Sequence, residues 1–365
     1  METINKYHPT TVSHPGETLA EKLTEMGMSI KEFAIRTSKP EKTIIAVIKG
    51  NSSITSDMSI AFENVTNIPA HFWMNLQREY DECEARNKKN KQMASFYEWA
   101  KKFPLAAMTQ KGWIPACKTN NEKVETILSF FGVSTPKAWE NYYINQQLKV
   151  AFRISLATIR EPYAISAWLR KGELQASEMT VQTDFEDKKL RATIPEMKNL
   201  MTECPKDAVQ QLRTLCLSCG VKLSYTPCLP EAPISGSTRW INGVPCIQLS
   251  GRHKRYDIFW FSFFHEIGHI LLHGRKDIFL EDIEYGDLQK SKEAEADDFA
   301  AAILLSGNEE KEIILNRDYS SEAIKIYAAR FGTHPSVIVG RLQHKKIIDY
   351  WQDKELLEKI CLFNN

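Results

Sequence analysis

The first 85 residues alternate short runs of helical hydrophobic spacing with capping and turn residues. A helix opens at Pro15, and Ser29 and Thr55 stand at N-cap positions, where a hydroxyl can accept a hydrogen bond from a backbone N–H. Gly27 and Gly50 follow two of the runs, as is typical of helix ends. The pattern predicts five short helices with a tight turn between the second and third, which is the arrangement of a helix-turn-helix.

Residues 86–204 are predicted to form an all-helical connector. A charged stretch opens the segment, and helical spacing returns over 122–131, after Pro136, over 151–159 and over 163–170. The large aromatic residues, among them Trp139, Tyr143 and Trp168, are interpreted as packing residues, because no set of catalytic side chains accompanies them.

Residues 205–365 combine stretches with the hydrophobic spacing of helices and stretches with the alternation of strands. A helix is predicted over 208–219, a strand over 221–225, and a hairpin around Asn242 and Gly243, a strong turn pair. Several helices follow. The fold class expected for the chain is therefore α+β: an all-α helix-turn-helix domain over 1–85, a helical connector over 86–204, and a C-terminal α+β domain with a small sheet over 205–365.

One polar triplet interrupts the most apolar of these helices. His265, Glu266 and His269 form an H-E-x-x-H pattern inside an almost continuous apolar run. On a helix the two histidines lie one turn apart on the same face, so both can reach one metal ion. Glu266 would project beside that ion as the general base. Burial of such a triplet is costly unless a partner such as a metal satisfies it.

A second, acidic helix supplies candidates for a third ligand. The apolar face of the stretch 293–305 passes through Ala296 and Ala300. Glu295 is preferred as the ligand, with Glu293 as the alternative. Asp297 or Asp298 could hydrogen-bond a ligand histidine from outside the coordination sphere. His273, one turn after His269, is a further candidate ligand, for which a supporting or surface role is favoured.

These two stretches resemble the ImmA/IrrE metallopeptidases over about residues 205–345. The marks are H-E-I-G-H at 265–269 and E-A-D-x-F-A at 295–300. The resemblance implies a gluzincin-like, zinc-dependent endopeptidase that cuts helix-turn-helix repressors, with one zinc held by His265, His269 and Glu295 and with Glu266 as the general base. Manganese or iron could occupy such a site as well.

The N-terminal segment resembles the HigA-type branch of the Cro/repressor helix-turn-helix family. The shared marks are H-P-G-E at 14–17, K-G-N at 49–51, I-T at 54–55 and P-x-x-F-W-x-N-L-Q at 69–77. Members are antitoxins and autorepressors, so the resemblance implies operator DNA as a partner and a homodimer formed through this domain. Lys39, Lys42, Thr43 and Lys49 are the expected DNA contacts. The segment up to Glu84 is net acidic, which disfavours non-specific DNA binding.

Bulk properties exclude several classes. The chain has 365 residues, a net charge of +1 and 43% hydrophobic residues, as expected for a globular protein of two or three domains. No apolar run approaches the length of a membrane span, and no signal segment opens the chain. Eight cysteines without a secretion signal indicate free thiols and a cytoplasmic protein. A zinc site from Cys204, Cys216, Cys219 and Cys228 is the alternative to buried thiols, which are favoured.

The two resemblances combine into one expected function. The chain is predicted to be a zinc-dependent endopeptidase with a DNA-binding domain, which cleaves a transcriptional repressor or a related regulator in a stress or toxin–antitoxin circuit. The alternative is an antitoxin-like transcriptional regulator in which the peptidase fold is a sensor or is dormant.

Overall fold

The structure is a computed structural model that describes residues 11–144, 162–230, 232, 234–273, 279–280, 287–360 and 362. The chain divides into two compact units, Met1–Tyr97 and Glu98–Asn365. The helix predicted over 151–159 lies outside the described residues.

The first unit contains the five predicted helices. Ser29 and Thr55 cap the second and fourth through their hydroxyl oxygens, as predicted. Leu19, Phe33 and Trp73 contribute to a shared buried core. The fifth helix is longer than the pattern indicated, since it continues through the charged stretch and past residue 85. The helices are α1 (Pro15–Glu25), α2 (Ile30–Arg36), α3 (Glu41–Ile48), α4 (Ser56–Thr66) and α5 (Ala70–Ala100).

The second unit begins with a helical layer rich in aromatic residues. Trp139, Tyr143 and Trp168 are all buried in one cluster, which confirms their interpretation as packing residues. Thr119 forms the capping box of α7, and Gly132 ends that helix in a left-handed conformation. The helices are α6 (Leu105–Gln110), α7 (Asn120–Phe131), α8 (Pro136–Trp139), α9 (Pro162–Ser177) and α10 (Asp187–Glu203).

A small mixed sheet follows helix α11 (Ala208–Ser218). Its strands are β1 (Lys222–Tyr225), β2 (Gly236–Ile241), β3 (Val244–Leu249) and the two-residue β4 (Phe279–Leu280), in the order β1-β3-β2-β4. β1 runs parallel to β3, whereas β2 pairs antiparallel with β3 and β4. Asn242 and Gly243 make the predicted hairpin turn, and both have the positive φ that a tight two-residue turn requires.

The two faces of the sheet carry different partners, as the two-residue period of a strand dictates. Ile247 and Leu249 face the apolar core with helix α12 (Tyr256–Leu272). Gln248 points to the other face, where its Nε2 donates to the Trp168 carbonyl of α9 at 2.7 Å. Arg239 lies on this second face too, 2.9 Å from Glu173 of α9. The predicted connector therefore supplies one layer of the C-terminal unit.

The remaining helices enclose α12 and continue the second unit. They are α13 (Asp287–Leu304), α14 (Gly307–Asn316), α15 (Ser321–Phe331) and α16 (Pro335–His344), followed by a 3₁₀ turn at Lys354–Leu356. Among the helices that the structure describes, none is long and apolar enough to cross a bilayer.

Candidate metal centre

Helix α12 carries the polar triplet through the centre of the C-terminal unit. Its apolar residues join the sheet and α11 in one core, so the helix is buried on almost every side. His265 and His269 are each 2% exposed, and Glu266 is 0% exposed. The energetic cost of placing three polar side chains here requires partners for them.

Three side chains converge on one point between α12 and α13. The Nε2 atoms of His265 and His269 are 2.9 Å apart. Glu293 approaches both, with carboxylate oxygens 3.1 Å from His265 Nε2 and 3.6 Å from His269 Nε2. Tetrahedral zinc with bonds of about 2.0–2.2 Å separates its ligand atoms by about 3.3–3.6 Å. The donor set fits a single metal ion of this kind, and the two histidine nitrogens lie closer together than this tetrahedral spacing.

The preference for Glu295 as the residue beside the histidines is contradicted by this geometry. Glu295 lies 3.5 Å from His273 and its side chain is 57% exposed, whereas the side chain of Glu293 is 20% exposed. The reason is the phase of the helix: Glu293 precedes the buried residues Ala296 and Ala300 by three and seven positions, so it shares their face. The apolar face named from the sequence already contained this information.

Both candidate ligand histidines have a partner on the ring nitrogen that points away from the centre. His265 Nδ1 lies 2.9 Å from Asp297 Oδ1, so the proton on Nδ1 can be donated to the carboxylate and the Nε2 lone pair is left for a metal. His269 Nδ1 lies 2.9 Å from His273 Nδ1. Asp297 is thus the acidic residue of this pair for which a contact with His265 is seen, and both Asp297 and Asp298 line a groove together with residues of α16.

The carboxylate of Glu266 lies against the first residue of β2. A Cβ atom at Gly236 would lie 2.4 Å from Glu266 Oε1, so a side chain at this position would require the carboxylate to move. The Thr238 hydroxyl donates to the Glu266 carbonyl at 3.1 Å and links the same strand to α12. The contribution of β2 was not visible in the sequence, although the glycine at the start of a strand is a signal of close approach.

The electrostatics of the group favour the protonation states that bind metals. Burial lowers the pKa of His269 to about 4, against the opposing effect of Glu293. Burial alone would raise the pKa of Glu293, but hydrogen bonds and charge interactions with His265 and His269 outweigh it and lower that pKa to about 2. Above acidic pH the centre therefore holds a neutral imidazole and a carboxylate, which are the ligand forms.

A second group of potential ligands has a different chemistry. Cys204, His334 and Glu358 lie close together, yet His334 Nδ1 accepts a hydrogen bond from the Ser336 N–H at 3.2 Å. A neutral ring then carries its proton on Nε2, the atom 3.6 Å from Glu358, and has no lone pair there for a metal. Cys216 and Cys219 are buried core residues, as favoured from the sequence.

The residues expected to contact DNA all lie at or next to α3. Lys42 and Lys49 are exposed and Thr43 is half-buried. Lys39 forms an ion pair with Asp57 of α4, so part of its charge is neutralised within the module.

Two comparisons with known proteins cover the two ends of the chain. The family model of Peptidase M78, described as the IrrE N-terminal-like domain, matches residues 218–343. An HTH-type transcriptional regulator of Escherichia coli (strain K12), YddM, is 30% identical over 71 residues, which are 20% of this chain and 76% of that protein. The chain joins an HTH-type regulator module to an IrrE N-terminal-like domain. All the residues of the candidate metal centre lie within the IrrE N-terminal-like domain.

Two solved structures illustrate the similarity of the regulator module to known proteins. An addiction module antidote protein of the HigA family from Coxiella burnetii is 33% identical and covers 23% of this chain and 91% of its own, with a TM-score of 0.22. The Pseudomonas aeruginosa antitoxin HigA, solved with the higBA promoter, is 32% identical and covers 22% of this chain and 90% of its own, also with a TM-score of 0.22.

Proposed function

We propose that the IrrE N-terminal-like domain is a zinc-dependent endopeptidase. The observation that carries the proposal is the convergence of His265, His269 and Glu293 around one point, with Glu266 buried beside them. The match to a peptidase family model supports it independently of the geometry. An intact set of donors and a general base disfavour the alternative of a dormant peptidase fold.

The roles follow from the positions of the side chains. His265, His269 and Glu293 would hold the metal, which when bound polarises a peptide carbonyl and lowers the pKa of water. Asp297 orients His265 through its Nδ1–H. Glu266 takes a proton from the attacking water and delivers it to the nitrogen of the leaving amine.

Metal content and peptide cleavage test this proposal separately. Purified wild type should contain about one zinc per chain, and His265→Ala should contain none. Glu266→Gln should retain the metal and lose cleavage, because glutamine cannot accept the proton. Cleavage that persists in Glu266→Gln would remove the general-base assignment. Absence of metal from wild-type protein after zinc is supplied would favour the antitoxin-like regulator instead.

We propose further that the regulator module binds operator DNA through α3. Lys42 and Thr43 lie on this helix and are accessible, Lys49 follows it, and Lys39 precedes it in an ion pair with Asp57. The resemblance to HTH-type regulators supports this reading. Lys42→Ala combined with Thr43→Ala should abolish sequence-specific binding in a gel-shift assay, whereas Lys31→Ala on α2 serves as a charge-matched control. Unchanged binding by the double variant would remove α3 as the reading helix.

The fusion suggests the class of substrate. A peptidase attached to a DNA-binding module is brought to proteins bound at the same operator, so the proposed substrate is a helix-turn-helix repressor or this chain itself. Incubation of wild type and Glu266→Gln with such repressors, in the presence and absence of operator DNA, should give cleavage only with wild type. Cleavage that is equally fast without the DNA would argue against recruitment.

A further inference from the structure

The outer ring nitrogens of His265 and His269 have different neighbours. His265 contacts a carboxylate, whereas His269 contacts another imidazole that is followed by a carboxylate. His265 meets a carboxylate directly, since its Nδ1 lies 2.9 Å from Asp297. His269 meets a second imidazole, with its Nδ1 2.9 Å from His273 Nδ1. Behind that imidazole, Glu295 Oε2 lies 3.5 Å from His273 Nε2. A chain of three groups thus leads from the centre to the surface.

The protons in this chain can be placed in only one consistent way when His269 holds a metal. The metal takes the lone pair of His269 Nε2, so the ring proton is on Nδ1 and is donated to His273 Nδ1. A neutral His273 that accepts on Nδ1 carries its own proton on Nε2, which faces Glu295. The carboxylate stabilises that tautomer, and through it the tautomer of His269.

The same geometry argues against His273 as a metal ligand. Its Nδ1 contacts the ring nitrogen of His269 that points away from the centre, and it is not part of the group in which His265, His269 and Glu293 converge. Its side chain is 3% exposed, so it is held by its surroundings and is not a mobile surface residue.

From these contacts we propose that His273 and Glu295 are positioning residues for His269 as a metal ligand: His273 accepts the hydrogen bond from His269 Nδ1–H, and Glu295 holds His273 in the tautomer that can accept it. The inference rests on the proposed metal site. It gives Glu295 a role outside the coordination sphere and makes a prediction about zinc affinity that does not depend on the substrate.

Zinc affinity of the full chain, measured by competition with a chromophoric chelator, is the test. His273→Ala removes the acceptor and should weaken zinc binding by about 10- to 100-fold. His273→Asn places an amide oxygen near the position of Nδ1 and should stay within about threefold of wild type. Asp298→Asn, on the same helix as Glu295, is the matched control and should bind zinc like wild type.

The contribution of Glu295 is measured by a double-mutant cycle. Glu295→Gln should weaken zinc binding several-fold in the wild-type background and have no effect in the His273→Asn background, where the imidazole that links Glu295 to His269 is gone. Equal effects of Glu295→Gln in both backgrounds would overturn the action of Glu295 through His273. If His273→Asn and His273→Ala weaken zinc binding to the same extent, the role of His273 as a hydrogen-bond acceptor would be overturned.

A loss of folding is separated from a loss of positioning by the thermal unfolding midpoint of the metal-free proteins. If His273→Ala unfolds at a lower temperature than wild type, His273→Leu, which fills more of the space without an acceptor, takes its place in the comparison with His273→Asn. Wild-type protein that binds no zinc would refute the proposed function. Wild type that binds zinc, with variants that bind equally well, would refute this inference alone.

Discussion

A methyl group on Gly268 would lie 3.2 Å from the Cα atom of Ala296, because α12 and α13 are in close contact at this position. Gly268 stands between the two histidines, and Ala296 lies three residues after Glu293. The spacing of the two helices at this crossing therefore affects the distance between the proposed ligand pair on α12 and the Glu293 carboxylate on α13.

Gly268→Val should push the two helices apart. We expect a loss of about 1–3 kcal/mol in the free energy of unfolding, as for other overpacked sites, together with weaker zinc binding. Denaturant unfolding of the metal-free protein and a zinc titration measure the two effects. Gly307→Ala, where no atom lies within 4 Å of the added carbon, should change neither. A Gly268→Val protein with wild-type zinc affinity would show that this contact does not set the ligand spacing.

Replacement of each glutamate by alanine tests which of the two is a metal ligand. Glu293→Ala should leave dialysed protein without zinc, because the third ligand is lost, whereas Glu295→Ala should still load with zinc when it is supplied in excess. Elemental analysis of both variants is sufficient. The opposite result would restore Glu295 as the ligand.

Gly236 gives a test of the general base that leaves the ligands intact. In Gly236→Ala the new Cβ atom would lie 2.4 Å from Glu266 Oε1, so the carboxylate must move. We expect cleavage to fall about 100-fold, as for a displacement of this order at a reacting group, with zinc content unchanged. Full activity of Gly236→Ala would mean that the position of this carboxylate is not critical.

The stability of the metal-free protein should depend on pH in a defined window. The pKa of His269 is about 4 in the folded protein and 6.5 ordinarily, so between these values the unfolded chain binds more protons. The free energy of unfolding then decreases as the pH is lowered from 6.5 to 4. Glu293, with a pKa of about 2 against 4.5, extends the decrease to lower pH.

Thermal unfolding midpoints between pH 7.5 and 4, in the presence of a chelator, measure this dependence. His269→Gln should reduce the dependence, because His14, His273 and His334, whose pKa values burial also lowers, still contribute to it, and His253→Gln, in an exposed loop, should leave it as in wild type. A wild-type midpoint that is constant over this range would contradict the assigned environment of His269.

Breaking the buried ion pair between Arg239 and Glu173 should lower the free energy of unfolding more than breaking an exposed ion pair. The side chains of Arg239 and Glu173 are 5% and 16% exposed, so Glu173→Leu leaves the buried guanidinium on β2 without its carboxylate. We expect the free energy of unfolding to fall by about 3–5 kcal/mol. Asp187→Leu, which breaks the exposed pair with Arg191, should cost about 0–1 kcal/mol. Similar losses in the two variants, measured by denaturant unfolding, would contradict the difference in burial.

Local patterns predicted most of the elements correctly. Ser29, Thr55 and Gly132 mark helix ends by interactions within a few residues, so their effect is visible in the sequence. The H-E-x-x-H spacing likewise placed His265 and His269 on one face of one helix.

Contacts between segments that are distant in the sequence could not be predicted from local patterns. Gln248 and Trp168 are hydrogen-bonded across 80 positions, and no local pattern indicates that α9 covers the sheet. A two-residue strand such as β4 is too short to leave a periodic signal.

The division of the ligand atoms between two helices has a consequence for the topology of the chain. His269 and Glu293 are separated by about two dozen residues, so an ion bound to both would close a loop of that length in the folded chain. A disulfide of this span would restrict the unfolded chain by about 3.5 kcal/mol, because it persists after unfolding. An ion that is released on unfolding would instead stabilise the IrrE N-terminal-like domain through its affinity and its free concentration, so that a chelator removes this stabilisation and a zinc salt restores it.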